Sequence, residues 1–155
     1  MLGCVTGTVD VTPQLGVAAA LVRMSHLVER VFADVARAHG LPPQQLQLLC
    51  MLIDGPTGMG ELSQLLNLGR SSTTGLVDRV LARRLVTREG DPDDRRVTIV
   101  ALSDEGQLMA RAAHDEVTAR LESMLQVLDR VEQDRLAAAH TRVLAEHDPS
   151  WVSGR

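Results

Sequence analysis

Residues 85–102 read LVTREG, then DPDDRR, then VTIVAL. Two short runs carrying β-branched residues flank a turn of acids, a proline and two adjacent arginines. This pattern predicts a β-hairpin, with a loop longer and more charged than a plain connection needs. A hairpin that lifts Arg95 and Arg96 off a small domain is suited to reaching something anionic. Around it the apolar residues recur at helical spacing, so the chain is constrained to a mainly α fold carrying one small β-hairpin.

The 155 residues fit one domain, or one domain with an oligomerisation element. At 45% hydrophobic and 23% charged, the composition is that of a soluble globular chain. Phe32 and Trp151 are its only aromatics, so Leu, Val, Ala and Met must make the core. Every basic side chain apart from histidine is arginine. The formal net charge of −4 is unevenly spread. Residues 69–96 hold seven arginines against five acids, a local +2 that leaves −6 for the remainder. An acidic body with a basic edge can still bind a polyanion.

Thr12 followed by Pro13 has the form of a capped helix start, and the helix is expected to run to about His39 with Gly40 as its stop. Leu21, Met24, Leu27, Val28, Val31, Phe32 and Val35 supply its apolar stripe. Pro42 and Pro43 open a second helix closing at Gly55–Pro56. PTGMG reads as a short bridge. Two helices follow in quick succession: residues 60–68 with Leu62, Leu65 and Leu66 inward, and residues 70–85 with Leu76, Val77, Val80 and Leu81 inward. Asn67 stands between them where a tight turn needs a left-handed residue. After the hairpin, Ser103 caps a long helix with Asp104 and Glu105 in its positive first turn. Asp129 and Glu132 have capping-box spacing and start a last helix to about His147.

The expected order is four helices, two strands, two helices. A two-helix turn followed directly by a hairpin is a winged helix-turn-helix, here with N- and C-terminal dimerisation helices. The lobe spans 41–102, the helical dimerisation region 12–40 and 103–148, and 1–11 and 149–155 are expected to be flexible tails. Leu121, Met124, Leu125, Leu128, Leu136, Val143 and Leu144 exceed what one small lobe covers, which predicts burial against a second copy.

The helix after the turn begins RSSTTG. Small hydroxyls and one arginine at a helix N-terminus suit phosphate oxygens and base edges. Arg70 has the reach to pair with phosphate or with guanine O6 and N7. Taken alone, Arg70–Thr74 also reads as an ordinary serine-capped surface helix. The order helix, turn, helix, hairpin favours the DNA-reading alternative.

From Glu61 through Gly106 the chain resembles, without a gap, the MarR family of bacterial transcription regulators. The resemblance rests on LVDR (Leu76–Arg79), on the DPxDRR wing and on the exit V-x-L-S-x-x-G into the long helix. It implies a homodimeric, cytoplasmic regulator, most simply a ligand-responsive repressor on a pseudo-palindromic operator in double-stranded DNA. Arg70, Ser71, Ser72, Thr73 and Thr74 fall on the stretch that enters the major groove. Asp94 and Arg95 fall on the wing-tip pair, the arginine entering the minor groove and the aspartate orienting it. An arginine in a narrow, negative groove is physically sensible. Arg96 reaches phosphate or braces the wing. Arg79 either touches phosphate or pairs with Asp78 or a wing acid as scaffold. Arg83 and Arg84 read as a solvated face. Gly75 departs from the longer side chain that relatives often carry, and Asn67 from a turn glycine.

The resemblance also implies a small-molecule effector held between the dimer helices and the lobe. Arg23 and His26 are the polar candidates for that pocket; a surface or dimer-contact pair is the alternative. Thiol sensing is a further possibility, since some relatives carry a reactive cysteine near the first helix. Cys4 lies well before that helix without an evident cation, and Cys50 sits in an apolar run as a small hydrophobe. Two cysteines are too few for a disulfide framework and suit a reducing compartment. The five histidines form no zinc-site spacing with the cysteines, so no metal or other cofactor is expected. The chain carries no phosphate loop and no nucleophile elbow, so no enzyme is expected. MLGCVTGTVDVTP lacks the basic and apolar blocks of a secretion signal, and no run of about 18 apolar residues suggests a membrane span. Gly75 and the acidic total motivate a second class of function, a winged-helix dimer acting through protein–protein contacts.

Overall fold

The computed structural model describes residues 15–90 and 97–147. Its elements are α1 (Val17–Ala38), α2 (Pro43–Met51), β1 (Thr57–Gly58), α3 (Met59–Leu65), α4 (Arg70–Ala82), β2 (Val86–Gly90), β3 (Thr98–Leu102), α5 (Asp104–Leu125) and α6 (Arg130–His147). This is a mainly α fold with one small antiparallel sheet in the order β1-β3-β2.

The third strand is a correction to the sequence reading, which took PTGMG for a bridge. Thr57 pairs with Val100 and Gly58 with Ile99. Two residues carry no period of their own, so only the partner strand makes them a strand. Two helix ends also differ. Helix α1 starts at Val17, after an extended Gly16 at its N-cap, and not at the Thr12–Pro13 signal, which lies outside the described residues. Glycine is a poor helix residue, so the helix begins after it. Helix α2 stops at Met51, and residues 52–55 turn the chain so that Thr57 reaches β3.

Three helices end by one device. The N–H two residues past the cap bonds back five residues: Leu41 to Ala36, Leu68 to Ser63, and Leu85 to Val80. Each closure needs one residue in the left-handed region. Gly40 (φ 66°) and Asn67 (φ 50°) fill it as their chemistry suggests; at the end of α4 it is Arg84 (φ 60°). Arg83 and Arg84 are therefore more than a solvated face. Arg83 Nη2 donates to the Gly40 carbonyl at 3.0 Å, and the Arg84 carbonyl accepts from Ser103 Oγ at 2.7 Å.

Leu46, Leu48 and Leu49 of α2 are fully buried, together with Val35, Leu62, Val77, Val80 and Val100. Helix α2 thus occupies the centre, contacting α1, α3, α4 and α5. Ser103 Oγ also accepts the Gly106 N–H at 3.0 Å and caps α5. Gly106 is held against the backbone of Leu85: a Cβ there would lie 1.8 Å from the Leu85 carbonyl oxygen. The capping box of α6 is formed in both directions, Glu132 N–H to Asp129 Oδ1 at 2.8 Å and Asp129 N–H to Glu132 Oε2 at 2.9 Å.

At the α1 end, His39 Nε2 lies 3.1 Å from Glu116 Oε2 of α5, and Arg120 pairs with the other carboxylate oxygen. The hydrogen bond from His39, reinforced by Arg120, holds the Glu116 carboxyl below its ordinary value of 4.5. A depressed carboxyl contributes stability above its unfolded pKa and loses it as pH falls through the folded one. Glu116→Gln should therefore destabilise the protein at pH 7, with the difference from wild type shrinking in urea titrations as the pH falls through the lowered Glu116 pKa. Two backbone positions give opposite expectations at matched protein concentration. Gly106→Ala should cost at least about 2 kcal/mol through overpacking on Leu85. Arg84→Gly should stabilise by roughly 0.5–1 kcal/mol by relieving a left-handed non-glycine.

Candidate nucleic-acid interface

Helix α4 starts from Gly69, an extended N-cap with no side-chain cap bond. The first N–H groups of this helix therefore have no side-chain oxygen of their own, and the positive end of the helix is open to an anion. Arg70, Ser71, Ser72 and Thr74 are all exposed around that end. Thr74 Oγ1 donates to the Arg70 carbonyl at 2.9 Å.

Thr73 departs from the expectation that all of Arg70–Thr74 reads a groove. It is fully buried. Its Oγ1 donates to the Gly69 carbonyl at 3.2 Å and lies 3.0 Å from Ser63 Oγ on α3. The helical turn of 100° per residue sends position 73 inward when 70, 71, 72 and 74 face out. Thr73 therefore locks the turn between α3 and α4 and is unavailable to a ligand.

Beside α4 lies an open groove of about 650 Å³, lined among others by Arg70, Thr74, Arg88, Glu61, Val97 and Thr98. It joins the start of α4 to the base of the hairpin. Arg88 was not among the sequence candidates. Its signal was its place on β2: strand alternation puts it on the same face as buried Val86, where a charged residue signals a tie. That tie is to Asp78 of α4, Nη2 to Oδ1 at 3.0 Å. Asp78 is thereby committed to Arg88, and Arg79, exposed on α4, is not its partner. Asp94, Arg95 and Arg96 lie outside the described residues.

The candidate effector residues are placed differently. Arg23 and His26 sit on the exposed first half of α1 and do not line the groove. His26 Nδ1 is 3.6 Å from Glu29, one turn further along the same helix. Among the described residues no cluster of His, Cys, Asp and Glu has metal-binding geometry, and no helix is long and apolar enough to cross a membrane. Cys50 packs half-buried against the core, and burial pushes its thiol up to about 11.

A short helix, a tight turn, a second helix with an open N-terminus and a β-hairpin against it define a winged helix-turn-helix protein. Residues 39–97 match the family profile described as MarR family. The HTH-type transcriptional repressor NicR of Pseudomonas putida is 34% identical over 104 residues, 66% of this chain and 65% of NicR. The chain thus spans a little under two-thirds of that relative. The transcriptional repressor CouR, solved bound to a 23-mer DNA duplex, superposes with a TM-score of 0.70 at 25% identity, covering 83% of this chain and 92% of CouR. NadR, solved in complex with 4-hydroxyphenylacetate, superposes with a TM-score of 0.70 at 20% identity, covering 85% of this chain and 94% of NadR, and so speaks to the fold. Over residues 39–97 by profile, and over most of its length by fold, the chain is similar to MarR-family regulators.

The raised thiol pKa has a direct consequence for the thiol-sensing alternative at Cys50. In a Cys4→Ser background, native protein should label with iodoacetamide slowly at pH 8, while protein unfolded in urea labels rapidly, because only the thiolate reacts. Equal rates in the two states would show an activated Cys50.

Proposed function

We propose that this protein is a dimeric, sequence-specific DNA-binding transcriptional regulator, most simply a repressor that releases its operator on binding a small molecule. The observation that carries this is the exposed N-terminal turn of α4. Arg70, Ser71, Ser72 and Thr74 surround an uncapped helix N-terminus beside the hairpin base. In this reading α4 enters the major groove, where Arg70 reads or anchors and the hydroxyls hold phosphate. The wing residues Asp94, Arg95 and Arg96 serve the adjacent minor groove, with Arg95 as the inserted side chain. Arg79 faces the phosphate backbone. CouR's capture on a DNA duplex supports this use of the fold.

The dimer follows from uncovered apolar surface. Helix α6 has no buried residue in the single chain, and Val131, Val143 and Leu144 are exposed on it. Val17, Leu21, Val22 and Met24 of α1 are exposed too. Most helical stability in a protein comes from packing of an apolar face, so these uncovered faces need a partner, and a second copy supplies one by two-fold symmetry. The same symmetry places two α4 helices on successive major-groove faces, hence a pseudo-palindrome. The complex of NadR with 4-hydroxyphenylacetate supports a small organic effector, and Arg23 and His26 remain its polar candidates once α1 is covered.

Selection from a random duplex pool at low salt should enrich an inverted repeat. On that operator Arg70→Ala should cost about 1–3 kcal/mol, with relaxed preference at one position per half-site, if the arginine reads a base. Arg95→Ala should weaken binding and lower the salt slope by about 1 per wing. A pool that yields no enriched sequence would replace this reading with a protein-contact role.

A further inference from the structure

The pair formed by Asp78 and Arg88 joins the helix that carries Arg70 to the strand that leads into the hairpin. Arg70, Thr74 and Asp78 recur every four residues and share one face of α4. Arg88 lies on β2 opposite Val100 of β3. Its Nη2 is 3.0 Å from Asp78 Oδ1, close enough for an ion pair but off the line of a hydrogen bond; Nε and Nη2 are both shut off from solvent without a hydrogen-bond partner. Desolvated guanidinium N–H groups left unpaired are costly, and an apolar side chain of similar size would pack there with less penalty. The pair is therefore a poor stabiliser. What an ion pair supplies and an apolar contact does not is direction.

We propose that Asp78 and Arg88 are positioning residues that set the angle between α4 and the β2–β3 hairpin, so that helix and wing engage neighbouring grooves of the same duplex together. The proposal rests on the DNA-binding reading above. Arg88 acts through the hairpin and not by touching DNA: its guanidinium is held at the foot of the groove by Asp78, while the exposed side chains on the same face are Arg70 and Thr74. Without the pair, α4 keeps its own contacts, because its seat is made by Thr73, Leu76, Val77 and Val80. The hairpin alone loses its bearing.

The two engagements are read separately on a selected operator. Guanine N7 methylation protection reports the major groove, and hydroxyl-radical protection reports the minor groove. Arg88→Met should keep the former and lose the latter, and the swap Asp78→Arg with Arg88→Asp should recover minor-groove protection. Thermal melts of the same proteins verify folding. Arg88→Met protecting both grooves as wild type does would overturn the inference. So would loss of both protections without recovery in the swap, which is the signature of a direct contact or of misfolding. If the wild-type protein protects neither groove, the DNA-binding reading itself falls, and this inference with it.

Discussion

The carbonyl of Leu85 is the point through which the molecule is held together. It accepts the Ser103 N–H at 3.1 Å, and Gly106 lies against it so closely that only a hydrogen fits. Leu85 ends the turn out of α4 and directly precedes β2, so one backbone group ties α4, the hairpin and the long helix α5. Ser103 reinforces it by donating to the Arg84 carbonyl while capping α5. The exit motif of the wing, in which Ser103 and Gly106 are fixed three apart, is therefore a packing requirement. The serine satisfies backbone groups on both sides, and the glycine removes the Cβ that would push the helix away.

From that joint outward, order falls off in a functionally useful way. The centre is dry and aliphatic, built on α2 with α3, α4 and β3. The periphery is unpaired apolar surface on α1 and α6. A chain built like this is packed in its lobe and uncovered at its ends, so the apolar surface left over and the polar start of α4 belong to different residues. Charge is divided along the chain as well. The total is acidic, and residues 69–96 are a basic window within it. Long-range repulsion from the acidic body is screened within about 10 Å at 0.1 M salt, whereas contact pairs at the basic edge are not.

Much of this was legible in the sequence because the signals were local. Asn67 in a left-handed turn, Ser103 as a cap and the Asp129–Glu132 box each needs only a few neighbouring residues, and each is present. The hairpin strands were legible from their β-branched flanks. What escaped was non-local. Strand β1 exists only because β3 passes it. Thr73 looked like its hydroxyl neighbours until the helix rotation turned it toward Ser63. Arg84 carried no mark of a left-handed residue, since arginine seldom adopts that conformation and is held there by closure of the α4 end.

The sequence by itself determined the helices and the two hairpin strands, several caps and turns, the order helix-turn-helix-hairpin and the basic window, because these depend on spacing and on the chemistry of adjacent residues. Only the tertiary structure decided which of five consecutive residues at the start of α4 face outward, that Asp78 belongs to Arg88 and not to Arg79, and that Gly106 must be glycine. Those outcomes depend on what the rest of the chain brings within a few ångströms, and distance through space is not encoded in distance along the chain.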